Sequence, residues 1–180
     1  MNKRQFLKVF AGVIAVPAVT LGARTILANE EAGSKIQAKV SLKQDGQVEK
    51  IELSKAQWKE KLSAEEYRIL RKAGTERPYS SPLNDEKRNG AFACVGCDLP
   101  LFESTTKFDS GTGWPSFYAP VDDDKIENRS DRKLIIKRTE NVCAGCGAHL
   151  GHVFKDRSTP TNARYCMNSA SLNFKPAEDE

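Results

Sequence analysis

The chain has 180 residues, with 28 lysines and arginines against 24 acidic residues, two histidines and five cysteines. Its basic excess lies wholly in Lys3, Arg4, Lys8 and Arg24, because residues 1–28 contain no acid. The remainder is balanced in charge, which excludes the basic domain expected of a nucleic-acid binder, and is long enough for one domain with its own core.

The N-terminal segment reads as an address. Lys3, Arg4 and Lys8 precede an apolar run from Val9 to Leu21, broken only by small residues and Pro17. That is the charged region and hydrophobic region of a secretory signal. Arg24 ends the run short of the roughly 20 apolar residues that a membrane span needs. Asn-Lys-Arg-Gln-Phe-Leu-Lys at 2–8 resembles a twin-arginine signal, with Lys3 in place of the first arginine. Ile26-Leu27-Ala28 is the expected cleavage site. The organisation read from this is a signal at 1–28, a polar linker at 29–50, a domain at 51–176 and a tail at 177–180. The expected location is outside the cytoplasm, in a periplasm, with an uncleaved signal acting as membrane anchor as the alternative. No cysteine near the cleavage site offers a point for lipid attachment.

Two short helices open the domain. Ser54 with Gln57 makes a capping box, and Leu53 with Trp58 the matching hydrophobic staple. Nine residues later Ser63 with Glu66 and Leu62 with Tyr67 repeat both signals, and Gly74 is a stop. Pro78, Ser80, Ser81, Pro82 and Asn84 mark an extended loop from Thr75 to Asn89. From Gly90 the texture is short strands and turns. Candidate strands are Ala91–Ala93, Leu99–Phe102, Lys133–Thr139 (the strongest β-run), Asn141-Val142, His149–Phe154 and Ala163–Asn168. Asp122-Asp123-Asp124 reads as a solvated turn rather than a metal site. The expected fold is mainly β.

Four cysteines form two knuckles, Cys94-Val95-Gly96-Cys97 and Cys143-Ala144-Gly145-Cys146, separated by 45 residues. Together they supply the four thiolates of a closed tetrahedral site, which suits a single structural zinc. Two structural disulfides are the alternative in an exported protein. Matched spacing favours zinc. The fifth cysteine, Cys166, then stands alone, two residues from Arg164. On a strand the two share a face, and a cation lowers a thiol's pKa. A small buried hydrophobe is the other reading of Cys166. Trp114 sits in the tight turn Gly111-Thr112-Gly113-Trp114-Pro115. His149 and His152, the only histidines, follow the second knuckle; strict alternation places them on opposite faces, unless Gly151 bends the strand.

In chain order, Cys-x-x-Cys, Ser-Gly-x-Gly-Trp-Pro-Ser-Phe, Cys-x-x-Cys, His-Leu-Gly-His-Val-Phe and Arg-Tyr-Cys-x-Asn-Ser resemble the methionine sulfoxide reductase B family from about Trp58 to Phe174. The resemblance implies a zinc-stapled fold of antiparallel sheets, of the β-tent type, with short N-terminal helices. It implies a peptide-methionine (R)-S-oxide reductase that repairs oxidised proteins. Each sulfoxide epimer has its own reductase. Cys166 is then the nucleophile and passes through a sulfenic acid. His152 is the first candidate for the acid that protonates the sulfoxide oxygen, since histidines as a class titrate near neutrality. His149 polarises or positions it, and Asn168 and Arg164 orient donors toward the oxygen and thiolate. Trp114 and Phe117 contact the substrate. Many family members carry a resolving cysteine where this chain has Thr112. An external thioredoxin- or glutaredoxin-like reductant is therefore expected, acting on a monomer. Two rivals use the same knuckles: a zinc-ribbon binding module, and a disulfide oxidoreductase with a reactive Cys-x-x-Cys.

Overall fold

A computed structural model describes residues 48–131 and 138–177. The signal segment, most of the linker, most of the Lys133–Thr139 run and most of the tail lie outside the described residues. Helix α1 spans Lys55–Lys61 and α2 Ala64–Lys72. Each begins at a serine whose hydroxyl accepts from the third helical amide while the Gln57 or Glu66 side chain accepts from the serine's own amide. Helix α2 ends differently from the expectation. Ala73, not Gly74, takes the left-handed conformation, at φ 48°. Gly74 donates to the Arg68 carbonyl at 3.1 Å, and a Cβ on it would lie 2.9 Å from that oxygen. The glycine is required for close approach, not for its φ.

Among the described residues nine strands follow: β1 Gly90–Cys94, β2 Pro100–Glu103, β3 Lys107–Phe108, β4 Ser116–Phe117, β5 Ile126–Asp131, β6 Arg138–Cys143, β7 His149–Lys155, β8 Ala163–Met167 and β9 Leu172–Pro176. They form two antiparallel sheets, β2-β1-β9 and β3-β4-β8-β7-β6-β5. Asp122–Asp124 leads into a short 3-10 turn, where Lys125 pairs with Asp122 and Asp124.

The core is aromatic. Phe92 of β1 and Phe102 of β2 meet Phe117 of β4, with ring centroids 5.0 and 4.3 Å apart, so the two sheets share one interior. Trp58, Leu62, Ile69 and Leu70 add the helices to that cluster. Arg71 ties α2 to the second knuckle: its guanidinium lies over Trp58 and donates to the Cys146 carbonyl at 2.9 Å. The Ile51 amide donates to the Gly145 carbonyl at 2.7 Å. The chain entering α1 is thereby fastened to the same knuckle.

Candidate active site

The two knuckles are near copies. Cys94 accepts from Asp98 and donates to Leu99, and Cys143 accepts from Gly147 and donates to Ala148, all through backbone. The residue after each second cysteine is left-handed, Asp98 at φ 67° and Gly147 at φ 65°. The four sulfurs lie within 4.8 Å of one another and are buried. Cys94 Sγ is 3.7 Å from Cys146 Sγ, and Cys97 Sγ 3.5 Å from Cys143 Sγ. A tetrahedral metal with bonds of about 2.3 Å separates its sulfurs by about 3.8 Å, so the cluster fits such an ion. The electrostatics agree. Hydrogen bonding from Cys143, then from Cys94 and Cys97, holds the Cys146 thiol far below its ordinary range, while Cys143 and then Cys146 push Cys94 up, and Cys146 pushes Cys143 up against an opposing pull from Cys94. Four buried sulfurs this close resist ionising together, and only a cation among them would let all four become thiolates. Because every member is buried, neither knuckle offers an accessible thiol pair for disulfide exchange.

Away from this cluster, Cys166 sits in β8 with Ser116 of β4 on one side and His152 of β7 on the other. Cross-strand partners point the same way, so hydroxyl, thiol and imidazole stand in one row. Glu140 of β6 and Arg129 of β5 continue it. The two histidines share this face because β7 carries an extra residue, Leu150, opposite the Asn141–Val142 step. Their rings meet edge-on at 5.5 Å. His149 Nδ1 is 2.6 Å from Glu140, and His152 Nε2 is 3.0 Å from Asp131. Asp131 also accepts from Arg138 at 2.8 Å. A small cleft of about 120 Å³ opens here, lined by Trp114, Arg138, His152, Phe154, Cys166 and Asn168 among others.

Three expected site residues have further partners in the structure. Phe117 follows Ser116, so it points to the opposite face and lies fully buried among Phe92 and Phe102. It belongs to the aromatic core. Asn168 is buried, and its amide is already committed: Nδ2 donates to Leu150 at 3.1 Å, and Oδ1 accepts from the Glu76 amide at 3.2 Å. It anchors the bulged residue that aligns the histidines. Arg164 stacks on Phe154 with its guanidinium carbon 4.9 Å from the ring centroid, and its Nε is 3.3 Å from Asp156. Its charge is therefore shared. Burial pushes the Cys166 thiol above its ordinary range; the Thr112 hydroxyl, the Arg164 charge and the Ser116 hydroxyl pull the other way without overcoming it.

Asp131, Arg138 and Glu76 were not read from the sequence. Glu76 is buried, its carboxylate accepting from the Ser169 and Ala170 amides at 2.5 and 3.0 Å. Its carbonyl accepts from Trp114 Nε1 at 3.3 Å and so holds the indole at the cleft.

The sequence of this domain matches known proteins. The SelR domain family matches residues 62–176. A peptide methionine sulfoxide reductase MsrB of Pseudomonas putida (strain W619) is 50% identical over 131 residues, which span 73% of this chain and 98% of that protein. The protein of that name from Leifsonia xyli subsp. xyli is 54% identical, over 72% of this chain and 94% of its own length. One from Methanosarcina barkeri is 49% identical, over 72% and 91%. The class defined is thus the SelR-domain enzymes. Within it, the chain belongs to the MsrB family of peptide methionine sulfoxide reductases.

Proposed function

We propose that the chain reduces the R epimer of methionine sulfoxide in peptides and proteins, with Cys166 as nucleophile. The observation that carries this reading is the register setting Cys166, the one described cysteine outside the four-sulfur cluster, between Ser116 and His152 beside Trp114. The relatives' shared activity supports the reaction class, and the epimer follows the family resemblance. The cleft is small and open to one side, which suits a CH2–S(O)–CH3 tip with the peptide backbone left outside.

In this reading the Trp114 indole receives the methyl group, where sulfur–aromatic contact adds to apolar packing. The Cys166 thiolate attacks the sulfoxide sulfur, and negative charge grows on the oxygen. His152, tied to Asp131 through Nε2, delivers a proton from Nδ1. The oxygen passes to Cys166. Methionine leaves reduced by two electrons, and Cys166 is left as a sulfenic acid, oxidised by two. One external thiol then condenses with the sulfenic acid, releasing water. A second frees Cys166 and leaves with the first as a disulfide. A thioredoxin- or glutaredoxin-like protein has that chemistry, and Thr112 supplies no internal substitute. Cys94, Cys97, Cys143 and Cys146 would hold one zinc ion, whose role there would be to fasten the knuckles rather than to act on substrate.

One equivalent of peptide methionine R-sulfoxide should leave one sulfenic acid on Cys166, trapped by a sulfenic-acid probe, with no disulfide by mass analysis. Cys166→Ser should lower kcat/KM by at least about a thousandfold, because a serine hydroxyl is scarcely ionised. Full turnover by that variant, or a stoichiometric disulfide between Cys166 and a knuckle cysteine, would overturn the reading.

A further inference from the structure

Three hydroxyls stand in contact beside Cys166. Thr112 Oγ1 is 3.9 Å from Cys166 Sγ, Ser110 Oγ is 2.8 Å from Thr112 Oγ1, and Ser116 Oγ is 2.7 Å from Ser110 Oγ. At the far end, Ser116 Oγ lies 3.2 Å from the Trp114 carbonyl. Each hydroxyl has one proton to give, and counting those protons fixes the direction of the chain. A carbonyl only accepts, so Ser116 donates to Trp114. Ser110 must then donate to Ser116, Thr112 to Ser110, and the Cys166 thiol to Thr112. That ordering holds while Cys166 keeps its proton.

Once the proton is lost, Sγ can only accept. Rotation about three C–O bonds reverses the series: Thr112 donates to the sulfur, Ser110 to Thr112, and Ser116 to Ser110. Only the 3.2 Å bond to the carbonyl is given up. A charge-assisted bond to the thiolate replaces it, and donors in series strengthen one another. Ser116 is fully buried, so no water competes at that end.

We propose that Ser116, Ser110 and Thr112 form a reversible hydroxyl chain that turns to donate to the Cys166 thiolate and offsets the burial of that thiol. The proposal rests on Cys166 being the nucleophile. The chain does not carry the proton out, since the Trp114 carbonyl has none to pass on; the proton leaves by the open side of the cleft. Thr112 touches the reacting sulfur, Ser116 also faces it from β4, and Ser110 links the two hydroxyls. The charged and titratable groups facing Cys166 come from its own strand β8 and from neighbouring strands and segments. They are Arg164, paired with Asp156; His152 and Arg138, both on Asp131; and His149 with Glu140 behind. Asp109 is bonded to the Gly111 amide, and Glu76 to Ser169 and Ala170. None is a link of the chain, so removing a hydroxyl leaves them in place.

The test is the pH dependence of Cys166 alkylation by iodoacetamide, followed by peptide mapping on the metal-loaded full chain. Thr112→Val should move the midpoint up by about one pH unit and slow alkylation at neutral pH about tenfold. Ser110→Ala should shift it in the same direction, and Thr112→Ser should restore the parent profile. A Thr112→Val profile coinciding with the parent would overturn the proposal. So would an unshifted Ser110→Ala, which would leave Thr112 acting alone. Sulfoxide turnover by Cys166→Ser, assayed in parallel, judges the nucleophile separately: activity there sinks the functional reading, whatever the alkylation profiles show.

Discussion

Glu76 bonds to two amides 93 and 94 positions away and leaves neither carboxylate oxygen idle. Glu76→Gln would set an NH2 group against one of those N–H donors and leave buried groups unpaired, a loss of about 1–3 kcal/mol. The expected outcome is a lower melting temperature together with a fall in kcat/KM, since the Glu76 carbonyl holds Trp114. A variant that melts and turns over like the parent would refute this account. The residue shows why some of the site was illegible. A capping box is written within four residues and was readable, as were the paired knuckles. Glu76 has no local pattern, because its partners come from the far end of the domain. Phe117 is a related case: its motif announces the site, but period-2 alternation places it on the other face.

At the level of elements, β7 carries the greatest constraint. A Cβ on Gly151 would lie 2.1 Å from the Cys166 carbonyl, a backbone atom that cannot move aside alone. Gly151→Ala should therefore push β7 from β8 and separate His152 from Cys166. Misplacement by about 1 Å costs on the order of a hundredfold in rate, and steady-state kinetics beside a thermal melt would measure it. Parent-like kcat/KM would show that the strands tolerate the side chain. The extra residue Leu150 explains the face of the two histidines, which strict alternation had separated. Its carbonyl accepts from the Asn168 amide and side chain and from Ser171, so the bulge is held from outside its own strand. Strands β3, β4, β5 and β9 were missed, the first two being only two residues long each. Glu127-Asn128-Arg129-Ser130 in β5 is polar and largely exposed at the sheet edge, so it lacks the apolar alternation of a half-buried strand; Leu172-Asn173-Phe174-Lys175 of β9 does alternate, but only for four residues before Pro176.

Across the whole molecule, the four-sulfur cluster joins β1, before the first knuckle, to β6 and β7, which flank the second. It also receives the helices through Arg71 and Ile51. Cys94→Ser should lose bound metal, measured by elemental analysis, and lower the melting temperature by more than about 10 °C, because metal binding there is partly folding energy. Metal loss without a change in melting would refute the staple. The row from Ser116 through Cys166 and His152 to Glu140 draws one residue from each of four strands. Insertions and deletions therefore meet two kinds of ground in this chain. Extra residues in the turn between β7 and β8, or between β4 and β5, lengthen a loop whose closure cost grows only slowly. One residue added to β8 ahead of its pairing would exchange Cys166 with Tyr165, which packs on the core, and turn the thiol inward. In descendants of this gene, loop lengths are free to drift, while strand lengths are inherited unchanged.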